Sequence, residues 1–327
     1  MSALGLGCMG MSGGTGSRTP ATEAESIATI EAALDAGITL LNTGDFYAMG
    51  HNEMLIGQVL RRRPDAAFLS VKFGAQASPS GAFLGFDGRP NSVKNFAAYS
   101  LQRLGVDVID LYQPGRVDPA VPIEDTVGAI ADLITEGKVR FLGLSEASTE
   151  HLIRAHHTHP VSALEIEYSL ASRSIEADIL PTARQLGIGI IAYNVVAQGL
   201  LTGAITGDLA VDDPRRRLPR FQGDNLTKNL NTIAVLREIA TVRNATAAQV
   251  AIAWVLSRGQ DIVPLVGMSR RSRLTENLAA TDLALTEDEL TNLDLTFRPG
   301  AIVGDRLPAE VRHLLSRQGL APSNPAT

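Results

Sequence analysis

The sequence predicts an α/β fold closed into a (β/α)8 TIM barrel, and three observations lead there. Short apolar strands alternate with helical periodicities along nearly all of the 327 residues. The strands are short apolar runs, as expected of a parallel sheet covered on both faces. The polar residues that look chemical follow strand ends, where barrels of this kind place their sites. About eight strand–helix units close such a barrel; a doubly wound open sheet is the competing arrangement. No break resembles an interdomain linker, so residues 1–320 read as one domain and 321–327 as a flexible tail.

The elements follow in order. Thr22 and Glu25 read as a capping box, with Ile27, Ile30 and Leu34 at helical spacing behind it. Gly37 stops that helix and Ile38–Leu41 starts a strand. Asn52 is a candidate cap for a helix carrying Leu55, Ile56, Val59 and Leu60, and strand Phe68–Lys72 follows. Next come helix Ser92–Leu104 with Gly105 as its stop, strand Val108–Tyr112, helix Ile123–Glu136 and strand Val139–Leu144. Helix Thr149–His156, strand Ala163–Glu167, helix Ile175–Leu186 and strand Ile188–Tyr193 continue the alternation. A polar connection over Gly203–Asn229, with three consecutive arginines at 215–217, reads as a surface loop over a site. Helical sequence to Leu256, strand Ile262–Val266, helix Arg273–Ala280 and a capping box at Thr286 and Glu289 complete the chain. The first barrel strand lies almost at the start, without the preceding segment that a hairpin across the barrel floor would need; subunit association through that end is an expectation.

Apolar residues make up 45% of the chain, enough for a large core. The net charge of −6 argues against a general nucleic-acid binder, which needs a basic face. Cys8 is the only cysteine, so neither an intrachain disulfide nor a cysteine metal cluster forms. The histidines show no ligand spacing, and no metal is expected. No long apolar span or signal segment is legible, so a cytoplasmic location without membrane association is expected. Gly5-Leu-Gly-Cys-Met-Gly10 fits GxGxxG, but neither a full strand precedes it nor a helix opens at Gly10, so it is not a dinucleotide fingerprint.

Tyr47 and Lys72 follow successive strands, and a phenol and an ammonium there can share one pocket. An ammonium favours the ionised phenol and so makes it a usable proton donor, which points to carbonyl reduction.

With these residues in place the chain resembles the aldo-keto reductase family. The resemblance rests on Leu4–Met11, Asn42–Tyr47 with Gly50–Glu53, Val71-Lys72, Leu104–Tyr112, Gly143–Ser148, Glu167–Leu170, Gly199–Gly203 and Gly267–Asn277. It implies a barrel that reduces an aldehyde or ketone with NADP(H). Tyr47 matches the proton donor and Lys72 its partner, whereas Asn42 stands at an aspartate position and Gly115 at a histidine position. Ser145 and Glu165 match residues that hold the nicotinamide carboxamide, with Glu165 in place of glutamine, and Tyr193 matches the residue that stacks on the ring. Gly267, Ser269, Arg270, Arg273, Glu276 and Asn277 match the segment for the adenosine end, and the arginines imply preference for NADPH through its 2′-phosphate. Two expectations follow from the departures. Lys72 lacks a counter-ion and depresses the phenol further, giving an acid-shifted optimum; the opposite outcome is a buried lysine that becomes neutral and leaves the phenol unperturbed. Gly115 leaves a widened pocket for water or a larger substrate. Pyridoxal reduction is one alternative, suggested by the stretch around Asn42; a dinucleotide-binding sensor or subunit with little turnover is the other.

Overall fold

The computed structural model describes residues 2–12 and 22–309. Along them run ten strands: β1 (Gly5–Gly7), β2 (Leu40–Gly44), β3 (Phe68–Phe73), β4 (Ala75–Ala77), β5 (Phe83–Phe86), β6 (Ile109–Pro114), β7 (Val139–Ser145), β8 (Val161–Glu167), β9 (Gly189–Tyr193) and β10 (Ile262–Gly267). Eight of them form one closed parallel barrel in the order β1-β2-β3-β6-β7-β8-β9-β10. Closure is made by β1, where Gly5 pairs with Leu40 on one side and Leu265 on the other, and this rules out the open sheet. Gly5 must be small, because a Cβ there would lie 2.7 Å from Leu40 Cδ2 and 3.0 Å from Leu265 Cδ1. Among the described residues no strand precedes β1.

Side chains alternate across each strand, so residues two apart share a face. Leu40, Leu111, Ile191 and Leu265 form a small separate core, with Phe68, Ala163 and Val263 packed against it. Two residues further along their strands stand Asn42, Ser70, Gln113 and Glu165, then Lys72, so the same inward faces turn polar toward the C-terminal end. The larger core joins the outer strand faces to the helices through residues such as Ile30, Ile56, Val127, Leu144 and Trp254.

The helices are α1 (Glu23–Asp35), α2 (His51–Leu60), α3 (Pro90–Leu104), α4 (Ile123–Thr135), α5 (Thr149–Thr158), α6 (Ile179–Gln185), α7 (Gly223–Val242), α8 (Ala247–Leu256), α9 (Arg271–Leu278) and α10 (Glu287–Thr296). A reciprocal Thr246–Gln249 capping box divides the helical region before Leu256 in two. Thr286 and Glu289 form their expected box. Thr22 accepts from Glu25 N–H at 3.2 Å, but the Glu25 carboxylate grips Arg271 instead of closing its box. Asn52 does not cap α2: Gly50 holds that position, and the Asn52 amide is buried, donating to Cys8 O at 2.8 Å and accepting from Thr43 Oγ1 at 2.7 Å. The β4–β5 hairpin was not anticipated; Pro79, Gly81 and Gly85 mask the strand pattern. Among the described residues no single helix is long and apolar enough to cross a membrane.

Candidate active site

Backbone strain marks one end of the barrel. Of the eight described non-glycine residues with positive φ, six follow the ends of β2, β7 and β9: Ala48, Met49, Glu146, Asn194, Ala197 and Gln198. Such conformations persist where surrounding contacts over-determine them, and they cluster at functional sites.

At that end the β3 ammonium of Lys72 is buried. It donates to Asn42 Oδ1 at 2.5 Å and to the two oxygens of Glu165 at 2.9 and 3.2 Å. Asn42 Nδ2 donates to Glu165 Oε2 at 2.7 Å, and Gln113 Nε2 to the same oxygen at 2.6 Å. Ser70 Oγ accepts from both amides, at 3.0 and 3.1 Å. The expected lone lysine is therefore corrected: a carboxylate from β8, on a non-adjacent strand, supplies its counter-ion. Burial alone would weaken the Lys72 ammonium, but the Glu165 charge and then Tyr47 hold its pKa above the ordinary value.

Tyr47 opens a short 3-10 turn just past β2, and Lys72 Nζ lies 5.3 Å from the centre of its ring. The phenol's pKa is raised: burial pushes it up, Lys72 pulls it down and Glu165 pushes it up again. This direction is opposite to the depressed phenol expected from an uncompensated lysine. The group stands protonated at neutral pH.

The widened pocket at Gly115 is also corrected. A Cβ on Gly115 would lie 3.0 Å from Phe46 Cε1 and 3.2 Å from its Cζ. The Phe46 ring fills the space and meets Tyr47 edge-on at 5.0 Å between centroids. Beside it Arg116 Nη1 donates to Gly115 O at 2.6 Å and Ser145 Oγ at 3.4 Å.

Around the mouth, Tyr193 donates its hydroxyl to Glu146 Oε1 at 2.9 Å. Arg306, from the segment after α10, bonds both Glu146 and Glu167, with Nη1 2.9 Å from Glu167 Oε2. Arg220, from the long connection before α7, donates to Ser172 Oγ at 3.0 Å and approaches Glu167 Oε1 at 3.5 Å. Burial would raise the Glu146 carboxyl, but Arg306 and then Arg116 hold it down at about 2. Sequence reasoning missed this cluster because its partners lie up to 160 positions apart and carry no local pattern.

The second group of expected residues sits at the end of β10. Gly267 and Arg270 are exposed, Ser269 is half-buried, and Asn277 is buried one residue before the end of α9. Arg270 holds the N-cap position of α9, and its guanidinium bonds no described residue. Arg273 approaches Glu276 at 3.5 Å. Arg271 pairs with Glu25 at 2.9 Å and ties α9 to α1. The exposed Arg270 guanidinium beside a helix N-terminus suits a phosphate. The partly buried Tyr193 leaves aromatic surface at the mouth, while Ser145 is buried beside it with its hydroxyl 3.4 Å from Arg116 Nη1. The residues present thus fit a dinucleotide.

Known proteins share this sequence pattern and fold. The model of the Aldo/keto reductase family matches residues 3–296. An aldo-keto reductase of Glycine max is 39% identical over 308 residues, covering 94% of this chain and 88% of its own. Among solved structures, the glycerol dehydrogenase of Gluconobacter oxydans is 29% identical with a TM-score of 0.83, covering 92% of each chain. A Klebsiella pneumoniae aldo-keto reductase in complex with NADPH is 27% identical with a TM-score of 0.70, covering 91% of each chain.

Proposed function

This chain belongs to the aldo/keto reductase family, and from that premise we propose that it reduces an aldehyde or ketone with NADPH, Tyr47 giving the proton. The observation that carries the reading is the phenol held beside a buried, charge-paired ammonium at the strained end of the barrel. NADPH supplies the hydride when bound. Ser145 and Tyr193 would hold its nicotinamide end, and Gly267, Ser269, Arg270, Arg273, Glu276 and Asn277 its adenosine end.

The Tyr47 hydroxyl donates to the carbonyl oxygen as negative charge grows there. The proton leaves the phenol oxygen, and Lys72 stabilises the phenolate left behind. Lys72 is fixed by Asn42 and Glu165, so it requires no reorganisation during the transfer. Arg116 turns its guanidinium toward the same mouth and supplies positive charge near the Gly115 position, where the chain carries no side chain. Phe46 covers that side and limits water.

The paired Lys72 weighs against a binding protein without turnover, because a sensor has no use for a proton donor facing a poised cation. The experiment is NADPH oxidation over a panel of aldehydes and ketones that includes pyridoxal, with Tyr47→Phe as control. Turnover lost in Tyr47→Phe supports the reading. NADPH binding with no turnover on any carbonyl opposes it.

A further inference from the structure

We propose that Glu165 is the residue that positions and charges the proton-donating pair, acting as the counter-ion of Lys72 from across the barrel. This rests on the reading of Tyr47 as proton donor. A buried ammonium requires an anion, because an unpaired charge in the interior is strongly destabilising. Asn42, the nearer strand neighbour, is neutral. It accepts from Lys72 through Oδ1 and donates to Glu165 through Nδ2, so its amide bridges the two charges. Glu165 is the one described carboxylate bonded to Lys72.

The Glu165 side chain is 5% exposed and its oxygens are committed: Oε1 to Lys72, Oε2 to Asn42, Gln113 and Lys72. That commitment separates two roles for one carboxylate. A residue that holds the cofactor carboxamide keeps an oxygen for it; a counter-ion keeps its oxygens on the ammonium and its donors. The geometry points to the second.

The acid and amide could be exchanged across a 2.7 Å hydrogen bond. With aspartate at 42 and glutamine at 165 the cluster would hold the same net charge. With acids at both positions, two carboxylates would crowd one ammonium. With amides at both, Lys72 would stand alone. The other titratable or charged groups acting on Lys72 and Tyr47 are Cys8, past β1, and Arg116, past β6. Burial pushes the Cys8 thiol up to about 12, so it stays neutral. Arg116 stays charged and is common to all variants.

The experiment compares Glu165→Gln, Asn42→Asp and the double swap Asn42→Asp/Glu165→Gln with the wild-type chain. Three quantities are read: NADPH affinity by fluorescence titration, the pH profile of carbonyl reduction, and ultraviolet difference titration of the Tyr47 phenol against Tyr47→Phe. Removing the anion should move the Tyr47 limb to lower pH by about one unit or more and lower the reduction rate, with NADPH affinity within about twofold. The double swap should restore the wild-type limb and most of the rate. Asn42→Asp alone should move the limb upward. The idea is overturned if Glu165→Gln keeps the wild-type limb, if the double swap is no better than the single, or if Glu165→Gln changes NADPH affinity alone. Should Glu165→Gln fail to fold, the double swap decides: a folded, active double supports the counter-ion role, and an unfolded or inactive one refutes it. The phenol titration requires no turnover, so it tests Glu165 even where the reductase reading fails.

Discussion

Arg306→Ala tests whether the segment after α10 is locked to the barrel mouth by charge. The guanidinium bonds Glu146 and Glu167, and the Glu146 side chain is fully buried. Glu146 is held at about 2 against an ordinary 4.5. At about 1.4 kcal/mol per tenfold change in acidity, that difference is worth about 3 kcal/mol. The figure agrees with the ~3–5 kcal/mol cost of removing one partner from a buried ion pair. A depressed carboxyl stabilises the fold fully above about 4.5, and the contribution disappears as pH falls toward about 2. Arg306→Ala should therefore lose about 3 kcal/mol at pH 7, with the gap to wild type narrowing by about a quarter at pH 4 and by more than half at pH 3. Adding Glu146→Gln should recover part of the loss by removing the stranded charge. Urea unfolding at the three pH values reads all of this. A loss below about 0.5 kcal/mol at pH 7, or a gap independent of pH, refutes the reasoning.

Three further outcomes are expected. Burial and then the Glu53 charge hold the Asp45 carboxyl up at about 7 against an ordinary 3.8, so its favourable contribution at low pH is lost as pH rises through about 7; Asp45→Asn should stabilise the fold by about 1–3 kcal/mol at pH 8 and little at pH 4, and equal shifts in thermal melts at both would count against this. Gly115→His should cost about 1–3 kcal/mol by crowding Phe46, with Phe46→Ala in the same chain relieving it; a wild-type melting temperature for the single variant is the contrary result. Arg270→Ala should raise KM for NADPH about 10- to 100-fold and leave that for NADH nearly unchanged, as loss of a charge-assisted phosphate bond requires; equal changes would reject the 2′-phosphate assignment.

The barrel was legible because each strand is a short apolar run and each helix stop is local. Gly105 ends α3 in the left-handed conformation, and Thr286 with Glu289 starts α10. Tyr47 and Lys72 were legible because their strands are neighbours and parallel, with Gly44 opposite Lys72 in the register. What could not be read were the contacts made across the barrel. Glu165 lies 93 positions from Lys72, and only closure of the barrel brings them together. Reading position 42 alone therefore gave an unpaired lysine and the wrong direction for the phenol. Gly115 misled in the same way: an absent side chain implies space only if no neighbour fills it, and Phe46 does. Arg306 was invisible because nothing near it in sequence announces Glu146.

Single-turnover oxidation of bound NADPH by an aldehyde decides whether the Tyr47 phenol delivers the proton to a carbonyl. Tyr47→Phe should bind NADPH as the wild-type chain does and oxidise it about 10²- to 10⁴-fold more slowly. Oxidation by Tyr47→Phe at the wild-type rate would contradict it.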